Sequence, residues 1–217
     1  MPPLRQTQVK LVVMSTAGVP APGPMRADAR RNRELLVAAA LQAFTERGAD
    51  DTSLEEVARR AGVGIGTLYR HFPGRTALLE AVYTDQVAAL CQRAGELLAT
   101  ESPGAALAAW MRDLVEFGAT KHTLTSALAA DYGGKDAPVF SSARDDLRAA
   151  ATALLTRAQQ AGAVRPDVQP VDLLRLSHAV AVAAERAADG ADQADRLLSL
   201  MLNGVLTDPA DDSRTEY

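Results

Sequence analysis

From residue 25 onward, apolar residues return at every third or fourth position, in runs interrupted only by short Gly, Pro and Asp punctuation. No alternating β-branched run is present that would demand a strand. A chain patterned this way must bury one stripe of each helix against another helix, so the expected fold class is all-α with about nine helices. The apolar share is 47% of residues and is dominated by Ala and Leu, which favours helix again. The 217 residues suffice for one large core, or for a module of about 50 residues joined to one of about 130. The punctuation favours two unequal parts, 25–74 and 75–208. An extension over 1–24 and a tail over 209–217 are expected to be disordered. Pro20, Pro22, Gly23 and Pro24 cannot hold a helix together, and the extension is compatible with an over-long start that N-terminal sequencing would detect.

Lys10 followed by Leu11 to Met14 has the beginnings of a signal peptide, but Ser15 and Thr16 cut its apolar core short. No apolar run approaches the roughly 18 residues that cross a bilayer. A single cysteine, Cys91, allows neither an internal disulfide nor a thiolate metal cage. The expectation is a cytoplasmic protein with no membrane partner, no metal and no cofactor. Three scattered histidines and one cysteine also supply no nucleophile with its base and no ligand set, which argues against an enzyme.

Net charge is -4, but it is unevenly spread. Residues 1–25 carry +2 and residues 26–76, with nine basic and seven acidic groups, carry another +2; the remainder carries -8. A basic front and an acidic rear orient a molecule against a polyanion.

The front is where local signals are densest. A first helix is expected over 28–47, with Leu36, Ala40 and Phe44 on one face and Gly48 as its stop. Thr52 or Ser53 caps a second helix, Glu55 and Glu56 suit its positive end, and Leu54, Val57, Ala58 and Ala61 fall on one side. Gly62 then supplies a tight turn. A short third helix over 65–72 points Leu68 and Phe72 inward, leaves Gly66, Thr67, Tyr69, Arg70 and His71 outward, and is broken by Pro73 and Gly74. Two short helices joined by a glycine turn are the geometry that presents a second helix to the major groove.

Residues 35–79, LLVAAALQAFTERGADDTSLEEVARRAGVGIGTLYRHFPGRTALL, combine F-x-x-x-G, T-S-L-x-x-V-A, A-G-V and G-x-L-Y-x-H-F in order. This stretch closely resembles the DNA-binding domain of the tetracycline-repressor family of transcription regulators. The resemblance implies a helix-turn-helix domain over 25–74, and a ligand-binding and dimerisation domain over 75–208. It also implies that Tyr69, His71, Arg75 and the cap at Thr52 or Ser53 contact DNA phosphates, while Gly66 and Thr67 approach bases. Gly64 departs from the family, where Ser or another capping residue is common; glycine there costs only a few tenths of a kcal/mol. Arg26, Arg30, Arg31 and Arg33 resemble the family's basic arm, and a plain solvated helix face is the alternative. Tyr69 and His71 have their own alternative, as flanks of the core.

Beyond residue 100 only the helical layout supports the resemblance. Helices are expected over 75–99, from 102 through 130, and over 138–161, 171–188 and 194–206. Trp110, Leu114 and Phe117 form a stripe that is first of all a core face. Among so many alanines, Trp110, Phe117, Tyr132 and His122 are candidates to receive a small-molecule effector, with ordinary packing as the alternative. Leu173, Ser177, Val180, Ala181 and Ala184, with Leu197, Leu198, Met201 and Val205, form faces suited to the four-helix bundle by which relatives pair into homodimers; intramolecular core is the alternative use. The implied function is a transcription regulator, a repressor released from double-stranded DNA by its effector, with an inverted repeat as target. A helical-bundle interaction protein that binds no DNA is the rival, and it gives no reason for Tyr69 and His71 to follow the turn.

Overall fold

The computed structural model describes residues 24–133, 138–185, 187 and 190–207. Over these residues the chain forms eight helices: α1 (Pro24–Arg47), α2 (Leu54–Arg60), α3 (Ile65–His71), α4 (Arg75–Thr100), α5 (Pro103–Asp131), α6 (Pro138–Gln160), α7 (Pro170–Glu185) and α8 (Gly190–Val205). The only pairing of extended backbone among them is an isolated antiparallel bridge between Val164 and Leu206. The all-α expectation holds. Pro24, expected in the extension, instead opens α1, a position where its fixed φ and missing N–H cost nothing. The rest of the expected extension and tail lies outside the described residues.

Three helices and the start of a fourth make the N-terminal head. Leu36, Ala40 and Phe44 of α1, Val57 and Ala58 of α2, Leu68 of α3, Phe72, and Leu78 and Leu79 of α4 are all buried in one contiguous core. The stops are local. Gly48 takes φ +82° and donates its N–H to the Phe44 carbonyl at 2.9 Å. At the end of α2, Gly62 takes φ +68°, its N–H reaches the Arg59 carbonyl at 3.2 Å, and the Val63 N–H reaches Ala58 at 3.0 Å. This left-handed closure turns the chain sharply into α3.

The helix α4 is 26 residues long, about 39 Å, and belongs to both halves. Its first turns complete the head, and Val87, Leu90, Ala94 and Leu97 pack into the body against α5 and α6. Trp110 of α5 is fully buried there, and its indole N–H donates to the Leu90 carbonyl at 2.9 Å. At the far end of α5, Asp131 accepts from the Thr76 hydroxyl at 2.8 Å and the Tyr132 hydroxyl donates to Glu80, tying α5 back to α4.

Close approach of α5 and α7 depends on missing atoms. A Cβ on Gly118 would lie 2.3 Å from the Cβ of Ala181. The turn between α7 and α8 is similar, since a Cβ on Gly190 would stand 2.8 Å from the Ala184 carbonyl oxygen. Here the proposed dimer face needs correction. Leu173, Ser177, Val180, Ala181, Ala184, Leu198 and Val205 are buried within the protomer, and Leu197 and Met201 are half-buried against the same core. For the seven buried residues the alternative use as intramolecular core therefore applies, with α5 packed chiefly on α7, while Leu197 and Met201 keep part of their surface open. The large apolar residues that α7 and α8 leave exposed are Leu176, at 42%, and Leu200, at 60%.

Candidate nucleic-acid interface

Ser53 is the cap of α2. Its backbone is extended and its Oγ accepts the Glu56 N–H at 3.2 Å, leaving the exposed hydroxyl free to donate outward. Thr52 is not an alternative cap. It is buried, and its hydroxyl donates to the Gly48 carbonyl at 2.8 Å, which fixes the loop entering α2 and withdraws the group from any phosphate.

Arg75, expected at a phosphate, also has partners within the protein. Its guanidinium donates to the Ala49 carbonyl, to the Thr52 carbonyl at 3.2 Å and to Asp50 Oδ1 at 3.1 Å. The fork therefore ties the α1–α2 loop to the start of α4, with the side chain still 30% exposed. Behind α2, Glu56 accepts from both Arg59 and Arg60, the latter at 2.7 Å, and Arg60 also reaches Glu46 of α1 at 2.7 Å. Hydrogen bonds from Arg60 first and Arg59 second hold the Glu56 carboxyl down to about 2.

What remains outward is α3. Leu68 and Phe72 anchor the helix, and Arg33 of α1 lies 5.6 Å from the Phe72 ring centroid. With that side fixed, Gly64, Gly66, Tyr69 and Arg70 are exposed, Tyr69 at 49%, while Thr67 and His71 are half-buried beside them. No Cβ added at Gly64 or Gly66 would meet another atom, so the glycines leave the surface of α3 low where backbone can come close to a flat partner. Ile65, exposed at 38% and four residues before Tyr69, is an outward apolar group that the sequence expectation had not singled out. Its place in the first turn of an outward helix was the available signal.

The basic arm is partly in view. Arg30, Arg31 and Arg33 are exposed on α1, with Arg30 3.8 Å from Glu34 in a solvated pair. Arg26 stands in the first turn of α1, and its side chain is outside the described residues.

The four expected effector contacts do not converge. Trp110 is core, His122 is exposed, and Tyr132 is spent on Glu80. Only Phe117 borders the cavity between α5, α6 and α7, whose other walls include Lys121, Arg144, Ser177 and His178. Lys121 was legible as a charged residue four positions after Phe117 on an otherwise apolar face; Arg144 and His178 come from distant helices and were not. No described helix is long and apolar enough to cross a membrane.

Known proteins share this architecture. Residues 36–82 match the family described as bacterial regulatory proteins of the tetR family, and residues 102–207 match the C-terminal domain of SbtR-like transcriptional regulators. A crystal structure of a TetR transcriptional regulator from Streptomyces coelicolor is 39% identical, with a TM-score of 0.70 over 80% of this chain and 98% of that one. A TetR regulatory protein from Mycobacterium vanbaalenii is 35% identical, with a TM-score of 0.70 over 85% and 100%. Among curated sequences, the uncharacterised HTH-type regulator TtgW of Pseudomonas putida is 41% identical over 56 residues, 26% of this chain. That match spans 42% of the relative's own length and falls short of its whole. Head, long connecting helix and helical body therefore agree with known regulators across nearly their entire length, and the chain belongs to the TetR family of DNA-binding transcriptional regulators, which are not enzymes.

Proposed function

We propose that this chain is a cytoplasmic homodimeric repressor that occupies an inverted-repeat operator and releases it on binding a small-molecule effector. The observation that carries the proposal is α3, held from behind by Leu68 and Phe72 and presenting Gly66, Thr67, Tyr69 and Arg70 outward. In this reading Ser53, Tyr69, Arg70 and His71 hold phosphates, Gly66 and Thr67 approach base edges, and Ile65 meets a thymine methyl. Arg30 and the neighbouring arginines of α1 add backbone contacts. A second copy packs on the outer faces of α7 and α8, around Leu176 and Leu200, and places two reading heads about 34–36 Å apart. The division into a head over 25–74 and an effector and pairing domain over 75–208 follows the same proposal.

The effector sits between α5, α6 and α7. Phe117 borders that cavity and lies 6.1 Å, ring to ring, from Tyr83 of α4, the helix that carries the head. A ligand that favours one packing of this ring pair biases the tilt of α4, and by linkage operator DNA disfavours the ligand to the same degree. The test is selection of bound fragments from genomic DNA, followed by fluorescence anisotropy on the enriched site. Specific binding to an inverted repeat that weakens steeply with salt is expected. Recovery of no enriched sequence at low salt would sink the proposal.

A further inference from the structure

Ile65 is set apart on α3 by its two neighbours in the chain. Gly64 precedes it and Gly66 follows it, and a Cβ at either position would meet no atom within 4 Å, so the branched side chain stands between two bare stretches of backbone. Leu68 and Phe72 hold the helix from behind, while Ile65 and Tyr69, one turn apart, are both exposed. An exposed isoleucine on an ordinary surface means little. Here its surroundings give it a use. Glycine, isoleucine and threonine are poor helix formers, so residues 64–67 do little to stabilise α3, and none of their side chains can grip a base edge with two hydrogen bonds as Arg, Asn or Gln does. Thr67 offers a hydroxyl that donates or accepts equally, and Ile65 offers only carbon. The apolar group that a base edge presents in the major groove is the C5-methyl of a pyrimidine.

We propose that Ile65 is a specificity-determining residue that reads the C5-methyl of one pyrimidine in each half-site, so that thymine and 5-methylcytosine are both accepted there and unmethylated cytosine is disfavoured. The inference rests on the α3 reading above and deepens it: recognition at that base pair turns on a single methyl group, and cytosine methylation becomes a means of regulating occupancy. The two accepted bases share the methyl and differ beside it, thymine carrying an O4 acceptor and 5-methylcytosine an N4 donor. The Thr67 hydroxyl suits either, and Gly64 and Gly66 bring no side chain that rejects one of them. Contact with the methyl removes apolar surface of both partners from water, which is the gain that an isolated Ile65 in solvent lacks.

The probe is the duplex enriched by selection from genomic DNA, with each thymine in turn replaced by deoxyuridine, which removes the C5-methyl and nothing else. Full-length protein is titrated against each duplex by fluorescence anisotropy at one salt concentration. At one thymine per half-site the loss is expected to be about fourfold, the value of one methyl group withdrawn from water. Ile65→Ala should bind the unmodified duplex more weakly and be indifferent to deoxyuridine at that position, the non-additivity expected of two groups in contact. Ile65→Val, which keeps the branched end, should retain most of the discrimination. With a C·G pair at the same position, 5-methylation of the cytosine should recover about the same factor for wild type and none for Ile65→Ala. Equal affinity for thymine and deoxyuridine at every position, a methyl effect that persists unchanged in Ile65→Ala, or 5-methylcytosine bound no better than cytosine overturns the assignment. Specific binding with any of these results removes the methyl reading alone and leaves α3 as the DNA-contacting helix, whereas recovery of no enriched sequence removes both.

Discussion

At the scale of single residues, two arginines only five positions apart have opposite surroundings, and the difference is measurable. Arg70 is exposed on α3, whereas Arg75 spends its donors on Ala49, Asp50 and Thr52. Arg70→Ala should leave thermal stability nearly unchanged, weaken operator binding, and reduce the slope of log affinity against log salt by about 1. Arg75→Ala should instead destabilise the head by about 1–3 kcal/mol, read as a lower midpoint in urea, and leave that slope unaltered. A reduced slope in Arg75→Ala would return this residue to the phosphate contacts. Glu56 provides a titration at the same scale. Because its folded carboxyl is depressed from 4.5 to about 2, its share of stability is fully present above pH 4.5 and is lost as pH falls toward 2. The stability difference between wild type and Glu56→Gln should accordingly be largest above pH 4.5 and shrink on acidification. A difference that grows below pH 4 would contradict the pairing with Arg59 and Arg60.

Among elements, the packing of α5 on α7 turns on one absent methyl group. Gly118→Ala should clash with Ala181 and cost about 1–3 kcal/mol by forcing the helices apart, while the double variant Gly118→Ala with Ala181→Gly should recover most of the loss. Denaturant unfolding of the four proteins checks this, and additive costs would mean that the two positions do not meet. This pair also marks the limit of what the sequence displays. Helix periodicity, the stop at Gly48 and the turn at Gly62 are legible because each depends on residues within a turn or two of one another. The same holds for Leu68 and Phe72, whose spacing turns Tyr69 and Arg70 outward without any knowledge of the partner helices. By contrast, the small-residue face of α7 suits either α5 or a second copy, and nothing local separates them; the 29 residues of α5 decide it. The partners of Arg75 were illegible for the same reason, since they lie 23 to 26 positions back along the chain. The cavity between α5, α6 and α7 draws its polar wall from three helices, so only Lys121, on the stripe containing Phe117, left a trace in the sequence.

For the whole molecule, burial within one protomer determines which substitutions can test pairing. Ala184 lies in the protomer core, so Ala184→Glu would place an uncompensated charge among apolar groups and unfold the body before it reported on assembly. Leu200 is 60% exposed on α8 and Leu176 is 42% exposed on α7, so a charge there meets water in the free protomer and an apolar surface only in a dimer. Leu200→Glu should therefore shift the protein from dimer to monomer in light scattering, with helical content by circular dichroism unchanged. A monomer retains each α3 but loses the fixed spacing between two heads, and with it the gain from engaging both half-sites at once. Its affinity for a single half-site should match that of wild type, while affinity for the full inverted repeat falls by about 10² or more. A Leu200→Glu protein that remains dimeric and binds the full repeat normally would place the pairing surface elsewhere on the molecule.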